Sequence, residues 1–148
     1  MHPTGVFILP LRDPTSLDAL AAEADAEGHR MVSRMIAEWI AGDNRFELPG
    51  ERAYAAILND RICGVCGLNI DPFAGDRAIG RVRRLYVSPS KRRQGAASAL
   101  IRKLVSDAAD HFQILHLRTF DPAASAFYLA AGFAPVEGNE HCTHILSL

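Results

Sequence analysis

Apolar residues recur along the chain in two patterns, one typical of helices and one of strands. Spacing of i, i+3 and i+4 marks four helices, and short apolar runs between turn residues mark seven strands. Helices are predicted at 17–24, 31–42, 97–108 and 122–131, and strands at 6–11, 53–58, 62–68, 82–87, 114–120, 133–136 and 143–148. This order predicts a mixed α/β protein.

One junction in this pattern carries chemistry. The strand that ends at Val87 is followed by a basic turn with Gly95, and the turn opens the third predicted helix. The first amides of a helix have no internal partners and lie at the positive end of its dipole, so they suit a phosphate group. Gly95 allows close approach to the backbone. The alternative to a phosphate site is that these basic residues form an ordinary solvent-exposed surface turn.

Two common nucleotide-binding classes are disfavoured at this junction. Dinucleotide folds need Gly-x-Gly-x-x-Gly, and P-loop proteins need a Gly-Lys-Ser/Thr ending. The turn contains neither pattern. A phosphorylated ligand of another class is therefore expected.

Length, charge and cysteine content narrow the class further. With 148 residues, 49% of them hydrophobic, we expect one domain over 1–148. The sequence lacks an apolar run of membrane length and a signal-like start, and three cysteines do not form a complete disulfide set, so we expect a cytoplasmic protein without membrane contacts. A net charge of −1 and a pI near 6.6 argue against nucleic-acid binding.

Two motifs together resemble the GNAT superfamily of N-acetyltransferases. The first is Arg92-x-x-Gly95-x-Ala97 after a Leu-Tyr-Val-Ser-Pro strand end, and the second is the predicted fourth helix with its Phe127-Tyr128 pair and its Gly-Phe end. The element order is similar to that family over nearly the whole chain. The resemblance implies a central, mostly antiparallel sheet of about seven strands with helices on both faces.

The resemblance also implies acetyl-CoA as the cofactor and a set of residues that bind it. Amides after the basic turn would hold the pyrophosphate, Lys91 or a neighbouring arginine would pair with other phosphates, and a bulged strand would hold the pantetheine arm. The implied binding residues are Leu85, Tyr86, Val87, Arg92, Arg93, Gln94, Gly95, Ala96, Ala97 and Ser98.

Tyr128 matches the family tyrosine that donates a proton to the departing thiolate. It also shares a helical face with Ala124, Phe127 and Ala131, so an alternative is that its ring packs there with a hydrogen-bonded hydroxyl.

The general base is not evident from the sequence. Arg81 occupies the strand position where many relatives carry a glutamate, and an arginine cannot accept a proton. An ordered water chain without a dedicated base is an alternative. The side chains that could replace the glutamate are Glu51, Asp71, His116 and His144.

The expected reaction is acetyl transfer to a primary amine of a small molecule or peptide, by direct attack in a ternary complex. The regions implied to line the acceptor pocket lean acidic, which would suit a cationic amine; the acids are Glu38, Asp43, Glu47, Glu51, Glu137 and Glu140. Whether the chain forms a homodimer is left open.

Two rival functions remain. One is a CoA-binding sensor or partner-binding module that kept the fold and lost the chemistry, as the arginine at position 81 suggests. The other is a small zinc protein using Cys63, Cys66, Cys142 and nearby histidines. We disfavour zinc because residues three apart on a strand point to opposite faces, and we expect buried thiols and no metal.

Overall fold

The computed structural model describes residues 5–92 and 94–148, and its strands form one sheet. The strands, numbered in chain order, are β1 Phe7–Pro10, β2 Arg52–Leu58, β3 Arg61–Ile70, β4 Ile79–Val87, β5 Ile114–Leu117, β6 Ala134–Pro135 and β7 His144–Ser147.

Four α-helices lie between these strands in the described part of the chain. They are α1 Asp18–Ala26, α2 Met31–Ala41, α3 Ala96–Ala108 and α4 Pro122–Ala130. The sequence explains their ends. Asp121 caps α4 by accepting a hydrogen bond from the Ala124 amide at 2.9 Å, and the left-handed Gly42 ends α2.

The order of strands across the sheet is β1-β2-β3-β4-β5-β7-β6. Every neighbouring pair is antiparallel except β4 and β5, which are parallel. The predicted fold class, a mostly antiparallel sheet with helices, is confirmed. The expectation of one domain over 1–148 stays a prediction.

Helices cover both faces of the sheet because alternate strand residues supply two separate cores. On one face, α1 and α2 pack through Leu20 and Met35 against β2 and β3. On the other, α3 and α4 pack through Leu100, Leu104 and Tyr128. The two faces of the central strands are thereby assigned to different helix pairs.

Two predicted strands are wrong by three residues at one end. The strand expected over 82–87 begins at Ile79, because its first residues pair with β3 and β5. The strand expected over 114–120 stops at Leu117, because β4 pairs with it only as far as His116 and β7 only as far as Leu117. No helix within 5–92 and 94–148 has the length and apolar character needed to cross a membrane.

Candidate active site

A bulge in β4 shapes the candidate site. Val65 of β3 pairs with Tyr86, and Gly67 pairs with Arg83, so β4 carries one extra residue between them. Within the bulge, Arg84 adopts a left-handed backbone with φ of 63°. This conformation costs a residue with a Cβ roughly 1 to 2 kcal/mol. The guanidinium of Arg84 binds both carboxylate oxygens of Glu38 on α2, at 2.8 and 3.0 Å, which holds the bulge in place.

Beyond the bulge, β4 and β5 diverge and leave a cleft between them, here called the main cleft. Its volume is about 710 Å³. The walls are the β4 segment 82–87, the segment 117–121 after β5, and the side of α4 that carries Tyr128. The cleft therefore opens where two parallel neighbours lose their hydrogen bonds, at the carboxyl ends of both strands.

Helix α3 begins at the mouth of this cleft. Its N-cap is Gly95, with φ of 85°, and no side chain caps the helix. The helix geometry leaves the amides of Ala96, Ala97 and Ser98 without internal partners. A Cβ added at Gly95 would meet no atom within 4 Å, so the approach to these amides is open. Backbone donors at a helix start fit a pyrophosphate.

The polar residues of the turn differ in whether they already bind other side chains. Arg92 makes two contacts with Glu27, at 2.7 and 3.1 Å, and a third with the Val87 carbonyl at 3.2 Å. A phosphate would have to compete with Glu27 for this guanidinium. Gln94 is exposed. The predicted role of Arg93 falls on a residue outside the described ones.

The strand residues predicted to contact the donor divide between the two faces. Leu85 and Val87 pack with the α3 side, whereas the ring of Tyr86 lies in the core under α1 and α2, and its hydroxyl donates a hydrogen bond to Glu27. The Ser88 amide donates to a β3 carbonyl at 2.7 Å. Because backbone amides alternate in direction along a strand, the Val87 amide faces the cleft.

Tyr128 lies on α4 and lines the main cleft although it is almost fully buried, with an exposed fraction of 7%. Its ring packs edge-on against Phe127 and Phe133, with centroids 5.2 and 5.5 Å apart. No residue within 5–92 and 94–148 forms a hydrogen bond with its hydroxyl. Burial, followed by the nearby Cys66, raises the pKa of Tyr128. The phenol thus keeps its proton at neutral pH and has a donor to offer.

Three of the four candidate bases are already engaged. Glu51 is buried and accepts hydrogen bonds from Asn69 and from the amide of Ile70. Asp71 is buried between Arg81 and His116, as described below. His144 has both ring nitrogens bonded, one to Thr143 at 2.8 Å and one to Ser125 at 2.9 Å. Each of these groups would have to lose a hydrogen bond or an ion pair before it could act as a base.

His116 is the exception. Its Nδ1 lies 2.8 Å from the carboxylate of Asp71, and no described residue bonds its Nε2. Asp71 also lies 3.6 Å from Arg81, which donates to the His141 carbonyl at 2.7 Å. When Nδ1 carries the proton, it donates to the Asp71 carboxylate, and Nε2 is then the nitrogen that can accept another proton. The imidazole sits directly opposite Arg81 in the sheet register.

A second cavity, here called the α2 cavity, lies on the other side of β4. Its volume is about 480 Å³, and it is walled by the end of α2, the loop after it, and the adjoining parts of β3 and β4. Two of the six acids expected to attract a cationic amine are committed here, since Glu38 pairs with Arg84 and Glu51 holds backbone amides.

The three cysteines are buried. Cys63, Cys66 and Cys142 are all buried free thiols. The expectation that Cys63 and Cys66 face opposite sides was wrong, because a register shift makes Cys63 an extra residue opposite β2 and brings both into one core. Among the residues described, no three metal-binding side chains come together.

Comparison with known proteins places this geometry in context. Residues 16–133 match the model of the Acetyltransferase (GNAT) family. No curated protein sequence matches the chain at a significant level.

Several solved structures resemble the chain. A protein of Exiguobacterium sp. 255-15, assigned as an acetyltransferase, is 29% identical with a TM-score of 0.85, over 96% of this chain and 93% of that one. An acetyltransferase from Thermus thermophilus is 16% identical over all of both chains, with a TM-score of 0.73. A ribosomal-protein-alanine N-acetyltransferase from Brucella melitensis is 18% identical over 96% and 99%, also at 0.73. The last two show the fold alone.

The family model covers most of the chain, and the bulged β4, the cleft beside β5 and the uncapped start of α3 lie within the matched region. The chain belongs to the GNAT family of acetyltransferases.

Proposed function

We propose that this protein is an acetyl-CoA-dependent N-acetyltransferase that acts on a primary amine by direct attack in a ternary complex. The observation that carries the proposal is the main cleft, which joins three features: unpaired backbone amides at the start of α3, an amide of β4 facing the gap, and the hydroxyl of Tyr128. Acetyl-CoA, when bound, supplies the acetyl group as an activated thioester.

The residues of the cleft fit such a donor. The amides of Ala96, Ala97 and Ser98 are placed to bind a pyrophosphate, and Gly95 leaves room for it. Leu85 and Val87 supply an apolar strand edge beside the gap. The Val87 amide is available to donate to a carbonyl oxygen and to stabilise negative charge there.

Tyr128 acts in this proposal as a hydrogen-bond donor to a departing sulfur. Because burial raises the pKa of Tyr128, full proton loss from the phenol is unfavourable, whereas donation of a hydrogen bond is not. Tyr128 Oη would therefore stabilise the charge on the departing sulfur, and the proton that neutralises this charge would be the one that the attacking nitrogen loses after it has formed the new C–N bond.

His116 is the proposed acceptor of a different proton, the one that a cationic amine must lose before it can attack. Asp71 lies 2.8 Å from Nδ1 of His116 and can accept a hydrogen bond from it, and a general base needs the other ring nitrogen, Nε2, to be free to accept a proton. His116 does not line the main cleft, so the proton travels to it through water.

Thiol release tests the proposal. Purified protein with acetyl-CoA and a panel of primary amines should release free thiol faster than protein without amine and faster than amine without protein. Acetyl-CoA binding by calorimetry without any amine-dependent thiol release would contradict the enzyme and favour the sensor. That rival draws support from Arg81, which a buried salt bridge and a carbonyl hold in a structural role at the glutamate position.

A further inference from the structure

Arg83 is a half-buried cation that the described residues leave unpaired. It lies on β4 just before the bulge and lines both the main cleft and the α2 cavity. Its guanidinium forms no hydrogen bond or ion pair with any residue in 5–92 or 94–148. Burial, followed by the neighbouring charge of Arg84, lowers the pKa of Arg83. A charge removed from water without a partner is costly, so this site favours an anion.

The two carboxylates whose charges act on Arg83, those of Glu38 and Asp71, are bound to other groups. Glu38 uses both oxygens on Arg84, and Asp71 is held between His116 and Arg81. The protein thus does not neutralise Arg83 with its own acids.

Other charged residues line the two cavities beside Arg83. Arg77 lines the α2 cavity, and Arg118 lines the main cleft with its guanidinium over the ring of Phe120, 4.8 Å from the centroid. Neither forms a salt bridge within the described residues. These two arginines and the acids Asp43 and Glu47 of the α2 cavity are all exposed to solvent, where screening weakens their effect. The other two acids of this cavity are already bound, Glu38 to Arg84 and Glu51 to Asn69 and the Ile70 amide.

The anion that Arg83 would bind is not a phosphate at the start of α3. The α2 cavity has no wall from α3 among the described residues, being built from α2, the loop after it, β3, β4 and the loop between those two strands. Val82 packs in the core under α3 and α4, so Arg83, the next residue along the strand, points to the opposite face of the sheet. Arg83 therefore faces the α2 cavity, on the side of the sheet opposite α3.

We propose that the acceptor is a primary amine that also carries an anionic group, a carboxylate or a phosphate, and that Arg83 binds that group. This inference rests on the proposed acetyl transfer. A guanidinium can bind either group through two parallel hydrogen bonds, which orients as well as attracts it. The amine end is then directed toward the main cleft, with which Arg83 is also in contact.

Turnover with matched acceptors is the first test. Glycine, β-alanine and γ-aminobutyrate should be acetylated with kcat/KM roughly 10-fold to 100-fold above their carboxamides, as expected for a charge-assisted hydrogen bond. A comparison of kcat/KM for phosphoethanolamine and ethanolamine shows whether a phosphate is preferred in place of a carboxylate. Equal rates for charged and neutral amines would overturn the proposal and leave the acetyltransferase activity standing.

Binding without donor is the second test, and it decides the proposal even if no amine is turned over. By calorimetry, N-acetyl-β-alanine should bind the wild-type protein and Arg83→Lys, and should bind Arg83→Gln about 10-fold more weakly. Arg34→Gln, which removes an equal charge from an exposed position on α2, is the matched control and should bind like wild type. Melting temperatures show whether each variant is folded.

The outcomes separate the two ideas. Arg83-dependent binding without turnover of any amine would sustain the anion site and remove the proposed enzyme. Absence of binding to wild type, or equal loss in Arg83→Gln and Arg34→Gln, would overturn the anion site.

Discussion

The two ends of the cleft differ in whether backbone groups or side chains form them. The donor end, around the start of α3, consists mostly of backbone: free amides, the left-handed Gly95 and the bulged strand edge. The acceptor end, around Arg83, consists of side chains from distant elements, such as the Arg84–Glu38 pair and the Asp71–His116 pair.

This difference explains why the donor is easier to identify than the acceptor. Backbone geometry at a helix start is encoded by a short local motif, so a glycine and a few neighbours suffice to predict it. Side-chain chemistry at the acceptor end depends on residues 45 and 46 positions apart in the chain, as in His116–Asp71 and Arg84–Glu38. Only the tertiary structure brings them together.

The largest expected effect lies where the two ends meet, at Tyr128. Tyr128→Phe should lower kcat roughly 100-fold, because it removes the only group assigned to the departing sulfur, and should leave acetyl-CoA affinity unchanged. Steady-state thiol release and calorimetry give the two quantities.

Tyr54→Phe is the matched control for that change. Tyr54 is buried with its hydroxyl 2.6 Å from Asp107, and neither residue lines the main cleft, so this variant should lose about 1 kcal/mol of stability and keep its rate. Equal rates in the two variants would remove Tyr128 from the mechanism.

A smaller effect is expected at the acceptor end. His116→Gln should lower kcat/KM about 10-fold near neutral pH, because a proton acceptor is lost and water replaces it only in part. The deficit should shrink at alkaline pH, where the amine is already neutral. The measurement is the pH profile of kcat/KM, with His111→Gln, an exposed histidine on another surface, as control. A deficit of the same size at every pH would indicate a structural role.

At the donor end, Gly95→Ala should weaken acetyl-CoA binding by about 10-fold, because a methyl group would occupy the open approach to the amides of α3. Both Gly95→Ala and Gly138→Ala place a Cβ on left-handed backbone, with φ of 85° and 79°, so each should cost about 1 kcal/mol of stability. Calorimetry should show the binding loss in Gly95→Ala alone. Equal affinities would mean that the donor does not reach this turn.

The smallest effect is expected at the Arg92–Glu27 pair, which ties the donor turn to α1. Hydrogen bonds from Arg92, then from Tyr86, hold the pKa of Glu27 below its ordinary 4.5. A lowered carboxyl pKa stabilises the fold above the unfolded value and loses that contribution as pH falls through the folded value. Glu27→Gln should therefore lower the melting temperature slightly at pH 7, and the difference should vanish at strongly acidic pH. Glu47→Gln, which removes an acid from an exposed position, is the matched control.

Much of the fold was predictable because its signals are local. Asp121 and Pro122 set the start of α4, and the spacing of Leu100, Ile101 and Leu104 set the buried face of α3. The strand expected to reach Phe120 ends at Leu117 because its partner strand turns away. That divergence is a property of two strands and does not show in either one alone.

The candidate site was predictable only in part. The left-handed residue of the bulge is Arg84, so the sequence lacks the glycine that usually indicates such a backbone. The contact of Arg84 with Glu38 stabilises the bulge instead. The role of Arg83 was not predicted from the sequence, because a run of arginines does not indicate which of them lacks an ion-pair partner. His116 was considered as a base, but its pairing with Asp71 forms only when the loop after β3 meets β5.

The most direct test of the account is an amide map of donor binding by two-dimensional NMR on labelled protein titrated with acetyl-CoA. The amides of Ala96, Ala97, Ser98 and Val87 should shift most, in proportion to occupancy, while those around the α2 cavity stay nearly unchanged. Shifts confined to the α2 cavity, or none at the start of α3 at saturating acetyl-CoA, would contradict the placement of the donor.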